Sequence, residues 1–222
     1  MGVAQEDYRL LNCARWPFWA APLAFLASCA SSGDRAEAAS APPPASSWRT
    51  LATANDRERI RTWRDAWTKA IAQISAAGES ARLAPLGALA KPDAALTDPA
   101  LPPGAYACRV YKLGARQPGG PVFKASPAFT CRVEQEGDML SLTKLGGAQK
   151  PVGFLFPGDE SRMIFLGTMM LGDEQRALDY GRDPERDMAG ALERIAPQRW
   201  RLVLPFPRWE STLEVVELVP KA

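Results

Sequence analysis

The sequence predicts a mainly β protein of the α+β class. It is an antiparallel meander of about eight strands, barrel-like or strongly curved, with one N-terminal amphipathic helix packed on it. Three observations predict this. Residues 106–219 break into short runs of alternating apolar and polar side chains, separated by Gly, Pro or Asp. Two of these runs repeat Cys-Arg-Val in the same phase, at Cys108 and Cys131. Ahead of them, residues 55–77 place apolar side chains at helical spacing.

Of 222 residues, 46% are hydrophobic and 23% charged, which is ordinary globular composition. The organisation read from it is a leader over 1–28, a lipidated cysteine and linker over 29–47, a helix and covering loop over 48–103, and a β domain over 104–222. Residues 48–222 are expected to fold as one unit. With 27 basic and 25 acidic residues, the formal charge of +2 makes no electrostatic case for nucleic acid. There is no histidine, which removes Ser-His and Cys-His catalytic pairs and every histidine-containing zinc site. No cofactor or metal is expected.

Arg9 and Arg15 precede an apolar run over 16–27, too short to span a bilayer but suited to the core of a secretory signal. Glu6 and Asp7 are unusual in such a leader, and a start further downstream is one explanation. Leu26-Ala27-Ser28-Cys29 resembles the lipobox of bacterial lipoproteins, in which the cysteine is acylated and becomes the mature N-terminus. The alternative is an ordinary Ala/Ser cleavage site with an incidental cysteine. Ala30, in place of an aspartate, favours the outer membrane by the same resemblance. Lipidation of Cys29 implies a periplasmic protein anchored by its acyl chains. Residues 30–47 lack aromatic and large aliphatic side chains and carry three consecutive prolines, the composition of a tether.

In the helix, Ile60, Trp63, Trp67, Ala70, Ile71 and Ile74 share one face, Thr53 or Asn55 caps the start, and Gly78 ends it. Its tryptophans either cover part of the β domain or form a membrane or partner face. Residues 83–103 read as a covering loop with a helical turn at 86–89.

The eight strands are expected at 106–111, 129–134, 139–145, 151–156, 163–171, 188–195, 200–204 and 213–219. Period-two geometry turns Cys108 and Cys131 to the apolar face and Arg109 and Arg132 to the other. In an exported protein, two inward cysteines on neighbouring strands read as a disulfide. The run 163–171 is apolar on both faces, as expected beneath the helix.

One connection, 172–187, is long for a compact domain, and such loops are often functional. Asp173, Glu174, Tyr180, Asp183, Arg186 and Asp187 make it the candidate binding loop. Its oxygens suit calcium, although the spacing is not that of an EF-hand. A carboxylate pair for hydrolysis, or an Asp–Arg network that orders the loop, are the other readings.

Trp48-Arg-Thr-Leu-Ala-Thr-Ala-Asn-Asp-Arg, Cys108-Arg-Val-Tyr-Lys-Leu-Gly, Thr143-Lys-Leu-Gly-Gly-Ala-Gln-Lys-Pro-Val-Gly, Tyr180-Gly-Arg-Asp and Pro207-Arg-Trp-Glu-Ser resemble a family of bacterial envelope proteins, domain of unknown function 4893. The likeness runs over 48–220 and implies export without implying an activity. Two functions are therefore weighed. One is a non-catalytic envelope lipoprotein that binds a protein partner or a small ligand. The other is a hydrolase of envelope glycans or esters using a metal or carboxylates such as Asp173, Asp183 and Glu210.

Overall fold

Each alternating run has one apolar face to bury, and a sheet closed on itself buries all of them without an exposed edge. The computed structural model describes residues 47–221. The expectations for the leader, Cys29 and the tether up to residue 46 lie outside the described residues. The strands are β1 (Gly104–Ala115), β2 (Phe123–Ala125), β3 (Phe129–Glu136), β4 (Met139–Leu145), β5 (Gln149–Asp159), β6 (Arg162–Leu171), β7 (Asp187–Ala196), β8 (Arg199–Pro205) and β9 (Ser211–Pro220). They pair in the order β2-β1-β3-β4-β5-β6-β7-β8-β9, and β9 returns to β1. The result is a closed eight-stranded antiparallel barrel in which β2 is the extra strand.

All eight predicted strands form. The short β2 was not expected. It lies against the end of β1, pairing Tyr111 with Ala125 and Leu113 with Phe123, while β3 takes the beginning of β1.

The barrel interior is packed. Tyr106, Cys108, Cys131, Val133, Leu142, Leu155, Phe165, Leu192, Leu202 and Leu218 fill it from the inner faces. Phe165 fits because Gly153 and Gly167 lie against its ring: a Cβ on either would come within 2.8 Å or 2.7 Å of a ring carbon. The two cysteines are joined, with Cα atoms 6.0 Å apart. Tyr106 pairs with Cys131 and Cys108 with Phe129, so the bridge runs diagonally between neighbours on the inner face. Arg109 and Arg132 are exposed, as the alternation requires.

The expected single helix is divided into α2 (Ala54–Arg61) and α3 (Trp63–Ala76), preceded by a one-turn α1 (Trp48–Leu51). Thr62, at φ −98° and ψ 22°, leaves helical geometry and returns its hydroxyl to the Glu58 carbonyl at 2.9 Å. Thr53 caps α2 by accepting from Asp56 N at 3.2 Å. Ala66, Trp67, Ala70 and Ile74 of α3 pack on the outward Tyr111, Leu113, Val203, Leu213 and Val215 of β1, β8 and β9. Gly114, at φ 67°, lets the helix approach: a Cβ there would lie 2.9 Å from the Ala70 Cα. The long helix does not cover β6. Its outer Ile164 and Leu166 are buried instead by Trp48 and Ala52, with Phe156 of β5 beside them.

The two ends of the barrel differ. Three hairpins with two-residue loops, at 137–138, 160–161 and 197–198, lie at one end. The strap over 96–103 closes that end: Leu101 enters the core, Pro102 O accepts from the Tyr106 hydroxyl, and Pro99 O accepts from Trp200 Nε1 at 3.1 Å. The longer connections 116–128, 146–148, 172–186 and 206–210 surround the other end.

Candidate functional site: the charged mouth of the barrel

The inward phase of three strands ends in a charge at this open end. On β1 it runs Cys108, Val110, Lys112; on β4, Leu140, Leu142, Lys144; on β9, read backwards, Leu218, Val216, Glu214. Gln149, at the start of β5, faces Lys112 across the opening, its amide oxygen 3.4 Å from the ammonium. With Val110, Pro151 and Met169 these residues line a pocket of about 360 Å³, and Lys124 and Glu210 stand at its rim. That volume is in the range of small-ligand sites.

Lys112 binds two carboxylates, Glu210 at 2.7 Å and Glu214 at 3.5 Å. The two therefore lie close together, yet their environments push them apart. Burial raises Glu214 above the ordinary 4.5, against the pull of Lys112 and a hydrogen bond from Ser211. The hydrogen bond from Lys112 holds Glu210 below 4.5, despite its partial burial. Burial alone would lower Lys112, but the two glutamates outweigh it and raise it above 10.5. Lys144 has no carboxylate within ion-pair reach among the described residues. Burial, with the nearby Lys112, lowers it. Its ammonium donates to the Gln149 carbonyl at 2.7 Å and lies over the Phe129 ring.

The loop singled out in the sequence flanks this mouth as two networks. In one, Glu174 accepts from Leu171 N at 2.8 Å and pairs with Arg186 at 2.7 Å, and Arg186 reaches Asp183 at 3.4 Å. Asp183 also accepts from Glu185 N at 3.0 Å. In the other, Tyr180 donates to Asp56, which is paired with Arg59 of α2; Arg59 in turn donates to the Asp187 carbonyl at 3.0 Å. Burial pushes the Tyr180 hydroxyl far above its ordinary range. Burial also raises Asp187, whose one carboxylate oxygen accepts from Gly181 N at 2.9 Å. Asp187, Arg186 and Arg59 line a small space of about 20 Å³ behind the mouth, room for about one water. Asp173 is exposed and away from both networks.

Thus the structure brings Glu210 to the mouth, ties Glu174, Tyr180, Asp183, Arg186 and Asp187 into the loop's own bonding, and leaves Asp173 in solvent. Among the described residues no three acidic or cysteine side chains converge as metal ligands would. Lys112, Lys144, Gln149 and Glu214 were not singled out beforehand. The signal that finds them is the inward phase: carried one residue past the expected strand 106–111 it reaches Lys112, and within the expected strands 139–145 and 213–219 it falls on Lys144 and Glu214.

A closed β-barrel, sealed by a strap at one end and charged at the other, with helices on its outer wall, is the class of protein defined here. The chain belongs to the family described as "Domain of unknown function (DUF4893)", which matches residues 48–218. No curated protein and no solved structure matches it.

Proposed function

We propose that this chain is an exported, lipid-anchored binding module of the bacterial envelope that takes a small ligand, or a short protruding group of a partner, at the barrel mouth. The observation that carries the reading is the contrast inside the barrel. Hydrophobic packing fills it everywhere except where Lys112, Lys144, Gln149 and Glu214 meet around an open pocket. Buried charge is costly and is commonly retained at sites that use it. The pocket suits a ligand with an anionic group for Lys144 and Lys124, a donor for Glu214, and an apolar part against Val110 and Met169. The disulfide supports export, since such bonds persist in oxidising compartments. The Cys29 lipobox supports the anchor, and with Ala30 the outer membrane.

A fragment screen on the isotopically labelled full chain tests the site. Hits should perturb the resonances of Lys112, Lys144 and Met169 together, and Lys144→Met should abolish most of them; hits that leave these resonances unmoved overturn the reading. For the anchor, palmitate-analogue labelling should be lost in Cys29→Ser, and an unlabelled cytosolic protein would refute it.

Hydrolysis is the second reading, favoured by the neighbouring Glu210 and Glu214 whose proton affinities are driven in opposite directions. It requires turnover of glycan or ester substrates that both Glu210→Gln and Glu214→Gln remove.

A further inference from the structure

The larger cavity is not at the mouth. A cleft of about 510 Å³ lies on the outer wall beneath α1 and α2 and shares no lining residue with the mouth. Ile60, Ile164 and Val203 give it an apolar lining, and Arg49, Arg57, Arg61 and Arg162 surround it. Two of these arginines are already neutralised: Arg61 by Glu58 at 2.7 Å, Arg162 by Glu193 at 2.6 Å. Arg49 and Arg57 have no carboxylate partner among the described residues. Arg49 lies over the Trp48 ring at 4.5 Å, and Arg57 donates to the carbonyls of Arg49 and Ala52. Both guanidiniums are therefore held at the same turn, with donors to spare.

A second observation is independent of the charge. Trp48 lines the cleft and is only 9% exposed, yet its indole N–H is buried without an acceptor. Buried donors in native proteins are nearly always satisfied, so an orphan in the wall of a cavity calls for an acceptor from outside the chain.

We infer that the cleft binds an amphiphile bearing a phosphate, its oxygens held by Arg49, Arg57 and the Trp48 indole N–H and its apolar part against Ile60, Ile164 and Val203. Two guanidiniums and one N–H are three donor groups, which the three terminal oxygens of a phosphate monoester can each meet with a separate oxygen while a carboxylate must share its two, and guanidinium geometry suits phosphate. The cavity is also far larger than a phosphate alone would need.

The test titrates the full chain with dihexanoyl phosphatidic acid, dihexanoyl phosphatidylcholine and inorganic phosphate, following heat and the indole N–H resonance of Trp48. Dihexanoyl phosphatidic acid should bind at least tenfold more tightly than either of the others and shift the Trp48 signal. Affinity should fall with salt, and Arg49→Gln and Trp48→Phe should each weaken it about tenfold or more. Arg49 is exposed, so its variant keeps the fold even if Trp48→Phe loosens the wall. Equal binding of phosphate or of the zwitterion, or binding that both variants leave intact, overturns the proposal.

Discussion

The two ends of this barrel are made from the same strands and solve opposite problems. At the strapped end Tyr106 and Trp200 meet edge to face, ring centroids 6.2 Å apart, and the strap accepts a hydrogen bond from each. Every polar atom in that contact has a partner and the remaining surface is apolar. At the mouth the equivalent inward positions hold Lys112, Lys144 and Glu214. Packing at the first end stabilises the fold. Charge at the second contributes little net stability, because desolvation offsets most of the attraction. Stability and binding are thus expected to separate along the barrel axis.

The largest effect should come from Trp200→Ala. It removes a buried aromatic side chain and leaves the Pro99 carbonyl without its donor, a loss of about 3–5 kcal/mol. Chemical denaturation measures it. A loss under about 1 kcal/mol would show that the strap does not seal a working core.

Next comes the disulfide. It closes a loop of 23 residues within the inner wall, so replacing both Cys108 and Cys131 by Ala should cost roughly 3 kcal/mol, seen as a lower unfolding midpoint. An unchanged midpoint would mean the packed neighbours hold the strands in register alone.

Why the strapped end was easier to foresee than the mouth follows from the residues. Each barrel strand was legible because one face alternates into the core, and the hairpin turns because Gly137-Asp138 and Pro197-Gln198 break the pattern. β2 was not, since two of its three residues are exposed and three residues carry no period. The break at Thr62 was invisible because the apolar stripe runs from Ile60 to Trp63 across it. The mouth is less legible because its inward positions are charges: Lys112 lies one residue past the expected strand 106–111, and Lys144 and Glu214, although inside the expected strands 139–145 and 213–219, are side chains that residue type alone assigns to solvent. Arg201 shows the same limit: it faces outward on β8, as alternation requires, yet is 0% exposed. The covering loop lends it the carbonyls of Ala88, Lys91 and Pro92, and Glu193 pairs with it at 2.6 Å. Only a tertiary partner turns an outward arginine into a buried one.

Lys112→Met should have an intermediate effect. It leaves Glu214 in the wall with the Ser211 hydroxyl but without its ion pair, and losing a charged partner of a buried group costs about 1–3 kcal/mol. At pH 4 the variant should lose less, because Glu214 then takes a proton. Equal losses at pH 4 and pH 7 would show that Lys112 acts by its aliphatic stem alone.

The smallest effect, and the sharpest comparison, is the pH profile of Glu214→Gln. Glu214 has a folded value above its ordinary 4.5, so the unfolded chain gives up this proton first. Its contribution to stability is full below 4.5 and is lost as pH rises through the folded value. Glu210 has the opposite sign: lowered in the fold, it contributes above 4.5 and loses that contribution as pH falls, weakly because its side chain is nearly half exposed. Glu214→Gln removes the first term alone. The variant should match the wild type at pH 4 and become relatively more stable as pH rises toward neutrality, by about 1 kcal/mol for each unit by which the fold raises the group. Trp200→Ala, at the other end, should shift the whole profile without changing its slope. If Glu214→Gln also leaves the slope unchanged, Lys112 fully compensates the buried carboxylate. The mouth would then be as settled electrostatically as the strapped end, and the case for a ligand there would lose its physical basis.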